Sequence, residues 1–354
     1  MLGSFSIKNF RGCPDWELSF GEKTYIMGPN GSWKTHVLEW IHLLGNGNLI
    51  YNDSMIEDEA FFSGKWKTES GEKSFTLYRE NKTDRSTIQW EKVTKTKYRS
   101  TLPFKTVFVS PFDMNLLYFA PSMRRDYVDS ILARAYEQFP RLKRDYEMAM
   151  RQRNALLKNI RDGKAKREDL DFWDKKFASL AETYLLYRKK YVTYVQQSAE
   201  LLGNFLPNYS PTFDTISSTS LMTDVSLWIT EYLRENRERD ILTGHTHIGP
   251  HRDDFVILVE DTHGNPIESQ KYLSRWEIKL LLLSLKLIEV AFLQDGCDTP
   301  IILLIDDIFA ELDEANILRF LKSLKTYQTI LTSQKSLPNG EDWSEFTCIN
   351  LKDI

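Results

Sequence analysis

Glycine is scarce: the 354-residue chain holds 16, where a typical usage of about 7% gives roughly 25. Cysteine is scarcer still. Cys13, Cys297 and Cys348 are odd in number and widely spaced, which excludes a disulfide framework or a zinc site and fits a reducing cytoplasm. No run of about 18 uncharged apolar residues occurs, so no membrane span is expected. The opening MLGSFSIKNFRGC lacks the basic segment and long apolar run of a secretory leader. Positive charge is not in excess: 46 Lys and Arg against 50 Asp and Glu leave a net charge of −4. That excludes a globally basic nucleic-acid binder and leaves room for a local basic surface. Tryptophan, by contrast, reaches 9. A chain of this length predicts about two domains.

The first 110 residues have a mixed α/β pattern. FSIKNF alternates like a half-buried strand, and KTYIMG is a second strand that runs into a glycine-containing loop. KTHVLEWIHLLG follows as an apolar-periodic helix with Gly45 as its stop. SFTLYRE and STIQWEKV flank a turn and predict a hairpin, and KTVFVS predicts another strand. From Pro121 long helices take over. Residues 121 to 170 carry 13 Lys and Arg against 8 Asp and Glu. Leu170, Trp173, Phe177, Leu180, Tyr184, Tyr187, Tyr191 and Tyr194 then repeat at intervals of three and four. Such a seam predicts a long helix packed on a partner. The preceding stretch offers Leu142, Tyr146, Ala149, Leu156 and Ile160, which predicts an antiparallel arm turning near Asp162 and Gly163. Packing is the expected role of the aromatic stripe; base stacking is the alternative. The α/β pattern resumes after residue 244 with FVILVE, an apolar helix from Glu277 to Phe292, the strand IILLI, a helix near 313 to 325, and the strands QTILTS and FTCINL. The expected division is therefore one α/β domain of residues 1–115 and 245–354, interrupted by a helical arm of 116–244.

Two segments carry chemistry. Gly28-Pro29-Asn30-Gly31-Ser32-Trp33-Lys34-Thr35 lies between a strand and a helix, as a phosphate-binding loop does. Backbone N–H groups and a helix N-terminus would face the phosphates, with Lys34 on the β/γ-phosphates and Thr35 on Mg²⁺. The second is the apolar strand IILLI ending in Asp306-Asp307. Asp306 is expected to hold the metal and Asp307 to orient the attacking water. Leu273-Ser274-Arg275-Trp276-Glu277 opens a helix upstream, and Ala310-Glu311-Leu312-Asp313 follows the acid pair.

That order resembles the ATPase head of the ABC/SMC class. Within it, IKNFRG, VFVSPFDMNLL, PSMRRDYVD, MRQRNALLK, GHTHIGPHRDDF and LLIDDIFAELDE resemble the RecF recombination-repair family over nearly the whole chain. The resemblance implies an α/β, ABC-type head with a P-loop and an inserted antiparallel helical arm. It implies ATP and Mg²⁺ as cofactors and an ATP-dependent homodimer in which Ser274 of one head reaches the γ-phosphate held by the other, with Asp313 helping to join the two sites. It also implies binding of gapped or junction duplex DNA, with RecR and RecO as partners in loading RecA, and no membrane. DNA would have to meet local positive charge, and Arg124, Arg125, Arg141, Lys143, Arg144, Arg151, Arg153 and Lys158 supply it. His245, His247 and His251 have no acid or cysteine spacing that would make a zinc site.

The chain departs from the pattern where glycine is required: Trp33 stands in the phosphate loop and Trp276 in the serine-led motif. Two readings follow. Either the ATP site is blocked and the chain is a nucleotide-independent DNA- or partner-binding scaffold, or a UGA codon translated as glycine in the source stands here as tryptophan. The shortage of glycine and the survival of Lys34, Thr35, Ser274, Asp306, Asp307 and Asp313 favour the second. The strand QTILTSQ ends without a histidine, and Thr332 is expected to take its place.

Overall fold

The computed structural model describes residues 1–8, 15–46, 59–68, 71–80, 83–88, 91–93, 104–118, 120–217, 224–296, 299–307, 314–324, 327–337 and 343–351. The chain divides into two compact units, Met1–Asp113 with Cys297–Ile354, and Met114–Gly296. The first boundary falls beside the expected residue 115. The second does not: residues 245–296 belong with the helical arm, and the chain returns to the first unit only at Cys297. The cause is strand pairing, because the FVILVE strand joins strands of the second unit and not the parallel sheet that leads into Gly28–Thr35.

In the first unit, β1 (Leu2–Lys8), β2 (Trp16–Ser19), β4 (Glu59–Thr68), β5 (Gly71–Glu80), β6 (Thr83–Ile88) and β7 (Glu91–Val93) form an antiparallel sheet of order β2-β1-β4-β5-β6-β7. The predicted hairpin is the β5–β6 pair. Between β2 and β4 the chain makes β3 (Lys23–Met27) and the helix α1 (Lys34–Asn46). Helix α1 buries Val37, Leu38, Trp40, Ile41, Leu43 and Leu44, and each such side chain stabilises by about 1.5–3 kcal/mol relative to exposure. Gly45 does not end this helix. It lies within it, and a Cβ there would come 2.7 Å from Thr106 Cγ2 and 2.9 Å from Phe104. Close packing, not termination, selects glycine at that position. β8 (Lys105–Val109) completes this part of the unit.

The second unit is built on α2 (Pro121–Ala135), α3 (Phe139–Arg161) and α4 (Leu170–Gln197), with α3 and α4 forming the hairpin. Gly163 takes φ 72° at its turn, a conformation that suits glycine. The seam residues Leu170, Phe177, Tyr184 and Tyr191 are buried, and Tyr146 packs on Phe177 and Tyr184 at 5.2 and 5.1 Å between ring centres. The stripe therefore packs, as its periodicity predicts. After β9 (Thr212–Ile216) and α5 (Arg237–Thr243), β10 (Asp254–Glu260) and β11 (Pro266–Glu268) complete an antiparallel sheet of order β11-β10-β9. Helix α6 (Arg275–Asp295) is apolar around most of its circumference and buried from Ile278 to Val290, as such a helix must be.

The chain re-enters the first unit with β12 (Ile301–Ile305), α7 (Glu314–Ser323), β13 (Gln328–Ser333) and β14 (Phe346–Asn350). These strands join β3 and β8 in an all-parallel sheet of order β14-β3-β13-β12-β8. Both neighbours of β13 end in a segment expected to carry chemistry. Among the described residues, no helix is long and apolar enough to cross a membrane.

Candidate functional site

Parallel strands bring their carboxyl ends to one edge, where loops and helix N-termini gather. β3 delivers Gly28–Thr35 there, and β12 delivers Asp306 and Asp307. A Cβ at Gly28 would sit 2.3 Å from Ser32 Oγ, so any other residue there would force Ser32 to shift. Gly31 takes φ 79°. Lys34 Nζ is buried and donates to the carbonyls of Gly28 and Pro29, each at 2.7 Å. Burial pulls its pKa down, opposed by the charges of Asp307 and Asp306. Thr35 Oγ1 donates to Asp306 Oδ2 at 2.8 Å, joining the helix α1 N-terminus to the end of β12.

The two acids differ. Asp306 is buried, which pushes its pKa up, while hydrogen bonds from Thr332 and Thr35 pull it down. Asp307 carries φ 38°, a left-handed conformation that non-glycine residues hold only when their surroundings fix it. The fixing groups are plain. Its N–H donates to the carbonyl and to Oγ1 of Thr332, both at 3.1 Å. Its carboxylate accepts from Gln334 Nε2 at 2.8 Å. Thr332 Oγ1 in turn donates to Asp306 Oδ1 at 2.7 Å. Thr332 thus ties both acids to β13, a role in the resting framework that its sequence position alone does not reveal. Gln334 was not legible at all; a polar residue just past a strand that ends beside acids is the only signal.

Trp33 occupies the last position before Lys34 with φ 63°. For a bulky side chain this is a strained backbone. Its ring packs edge-on against His36 at 5.2 Å between centres and against the core below.

In the second unit, Ser274 is the N-cap of α6. Its N–H and Oγ both donate to Glu277 Oε2, at 2.8 and 2.5 Å, a capping box. Trp276, two residues on in the first turn of the helix, is exposed. Asp313 lies outside the described residues. The Gly249–Asp254 tract is clamped from three helices. Gly249 has φ 118°, and a Cβ there would meet Phe177 at 2.9 Å. Arg188 donates to the Pro250 carbonyl at 2.6 Å. Arg125 donates to the Asp253 carbonyl at 2.7 Å, and Arg124 grips Asp254 through two bonds of 2.7 and 2.6 Å. His251 bonds Tyr146 Oη at 2.7 Å and the Thr246 carbonyl at 3.1 Å, and burial lowers its pKa to about 4. His247 bonds Asp240 at 2.8 Å.

Four of the eight arm and junction cations are therefore structural. Arg124 and Arg125 hold the tract. Lys143 pairs with Asp129 at 3.0 Å. Arg153 is wholly buried, bonded to Asp174, Asp240 and Thr246 at 2.8–2.9 Å.

The AAA ATPase domain model matches residues 1–242. The chain is 30% identical to the DNA replication and repair protein RecF of Azobacteroides pseudotrichonymphae genomovar. CFP2, over 94% of this chain and 92% of that protein. It is 31% identical to RecF of Shewanella amazonensis, over 91% and 88% respectively. A solved structure of the recombination mediator protein RecF with ATP, in the RecFOR pathway, superposes with a TM-score of 0.81 at 24% identity, covering 99% of this chain and 95% of that one. At that identity the likeness speaks for the fold alone, a mixed α/β unit with a parallel sheet and a second unit built on a long helical hairpin. With the sequence likeness, it places the chain in the RecF family of DNA replication and repair proteins, on an AAA ATPase domain.

Proposed function

We propose that the chain is an ATP-dependent, dimerising DNA-binding protein of recombination and repair. It acts in the cytoplasm at gapped or junction duplex DNA and helps RecR and RecO to load RecA. The observation that carries this reading is the convergence of Lys34, Thr35, Asp306 and Asp307 at one edge of the parallel sheet.

The residues fit the nucleotide and its metal. Thr35 Oγ1 and Asp306 Oδ2 offer adjacent oxygens of the kind Mg²⁺ prefers. Ser32 Oγ is buried without a partner among the described residues, and Lys34 supplies a cation beside it. Gly28–Thr35 would hold the phosphates, and Thr35 and Asp306 the Mg²⁺. When bound, ATP supplies the γ-phosphate charge that the serine-led helix of a second copy can bind. Asp307, aimed by Gln334 and Thr332, would accept a hydrogen bond from the attacking water; the α6 N-terminus, joined by Ser274 once it turns from Glu277, would offer donors to the second copy's nucleotide. Asp313 joins the two heads. Hydrolysis is slow, and the protein works as an ATP-timed clamp.

The reading takes position 33 as glycine in the source organism. The left-handed φ of 63° at Trp33 supports it, since glycine adopts that conformation without a Cβ penalty. A second reading, a nucleotide-independent scaffold, is favoured by the packing of the Trp33 ring on His36 and the core. Mass spectrometry of peptides spanning residues 33 and 276, from native protein, separates the two: glycine at both supports the clamp and tryptophan at both supports the scaffold. The site itself is tested by Lys34→Ala, which is expected to abolish ATP-dependent dimerisation in light scattering. Dimerisation that persists unchanged in that variant removes the proposed mechanism.

A further inference from the structure

Helix α3 carries two opposite stripes. The inner one, Phe139, Leu142, Tyr146, Ala149, Arg153, Leu156 and Ile160, steps by three and four and is buried or partly buried along its length. The outer one, Arg141, Arg144, Met148, Arg151, Ala155 and Lys158, steps the same way, and every member is exposed. Residues at those intervals share one helix face. Four of its six members are cations, and none is acidic.

These cations are not spent on the fold. Arg141 and Arg151 reach Asp145 and Glu147 only at 3.8 and 4.0 Å, with their side chains 83% and 68% exposed. Exposed i,i+4 pairs of this kind are worth a few tenths of a kcal/mol. Arg144 and Lys158 have no acidic partner among the described residues. Lys143 and Arg153 on the same helix differ: Lys143, its side chain 30% exposed, pairs with Asp129 at 3.0 Å, and Arg153 is fully buried between Asp174 and Asp240.

We propose that this outer face of α3 is the surface on which duplex DNA is held through its phosphates. The proposal rests on the DNA-binding reading above and assigns that reading to a surface. The stripe runs ~25 Å along a straight helix at 1.5 Å per residue, which matches about seven base pairs at 3.4 Å each. Between the cations stand Met148 and Ala155, not aromatic rings. Single-strand binders stack bases on aromatic side chains, so a face that offers charge without rings fits a duplex backbone. Contacts of this type position the nucleic acid and carry no sequence preference.

The test measures the affinity of the full chain for a labelled duplex, with and without Mg-ATP, across a salt series. The variant is Arg141→Gln, Arg144→Gln, Arg151→Gln and Lys158→Gln combined. A control removes the same charge from exposed lysines of α4: Lys175→Gln, Lys176→Gln, Lys189→Gln and Lys190→Gln combined. Each phosphate contact contributes about 0.9 to the slope of log K against log salt. The α3 variant is expected to flatten that slope by roughly 3 to 4, with an unchanged circular dichroism spectrum, while the control keeps the slope of the unaltered chain. Equal flattening in both sets, or in neither, overturns the assignment to α3 and leaves DNA binding intact. A chain that binds no duplex under any condition overturns the DNA reading itself. Tighter binding to poly-glutamate than to duplex at equal ionic strength, lost in the α3 variant, would make the stripe a protein-docking face and also overturn the proposal.

Discussion

Replacing Trp33 by glycine is expected to tighten nucleotide binding at least 100-fold with little change in stability. The structure sets both magnitudes. A left-handed conformation costs a residue with a Cβ roughly 1–2 kcal/mol, and φ 63° at Trp33 incurs that cost. Glycine relieves it but forfeits about 0.5–1 kcal/mol in backbone entropy and about 0.5–1.5 kcal/mol of ring contact with His36. These terms nearly cancel, so urea unfolding should move by no more than ~1.5 kcal/mol. Binding has no such cancellation. Glycine lets the backbone before Lys34 approach a phosphate, and two charge-assisted hydrogen bonds regained at about 1.5–3 kcal/mol each give two or more decades in Kd. Fluorescence anisotropy of a labelled ATP, in the presence of Mg²⁺, reads the change. Adding Lys34→Ala to the glycine variant should reverse it. If the glycine variant binds no tighter than the tryptophan chain, the loop is not limited by its indole, and steric blockage is the wrong explanation.

Other expectations follow from the buried polar groups. Arg153→Met leaves Asp174 with Arg237 and Asp240 with His247, so the loss should fall near the low end for a broken buried pair, about 3 kcal/mol, in chemical denaturation. Thr332→Val removes the donor to Asp306 and one acceptor of the Asp307 N–H; unfolding free energy should drop by about 1–3 kcal/mol. His251 is held neutral, with its pKa lowered by burial to about 4. Between that value and the ordinary pKa of about 6.5 the unfolded chain binds the extra proton, so stability falls as pH drops through this window, by about 1.4 kcal/mol per unit. A His251→Asn variant should lack this component when unfolding curves at pH 4.5 and pH 7 are compared, and an identical pH dependence in both chains would refute it.

The strand-loop-helix around Gly28–Thr35, the acid pair at the end of β12 and the helical hairpin were legible because each is written in local spacing. A strand-loop-helix with Lys34 and Thr35, an apolar strand ending in acids, and a three-four repeat need no knowledge of partners. What was not legible depends on distant residues. Arg153 and Arg151 look alike in sequence, yet only tertiary packing puts Asp174 and Asp240 around one of them. Gly45 looks like a helix stop until Phe104 and Thr106 are seen against it. The FVILVE strand carries no mark of which sheet it joins, which is why the second domain boundary lies at Cys297 and not at 245. Asp307 gave no sign of its strained backbone, and Gln334 gave none of its partner.

The strand order β14-β3-β13-β12-β8 has a consequence for synthesis on the ribosome. β3 and β8 emerge early but are not neighbours; the two strands that separate them are made after residue 300. At 5–20 residues per second, the wait from the end of β8 to the end of β13 is roughly 10–45 s. Throughout it, β3 and β8 present unpaired edges, which invite pairing with the wrong chain. The intervening Met114–Gly296 unit is contiguous in sequence, so it can fold during the delay. The nascent head is therefore the aggregation-prone species, and the demand for chaperones should peak late, just before β12 and β13 arrive to close the gap.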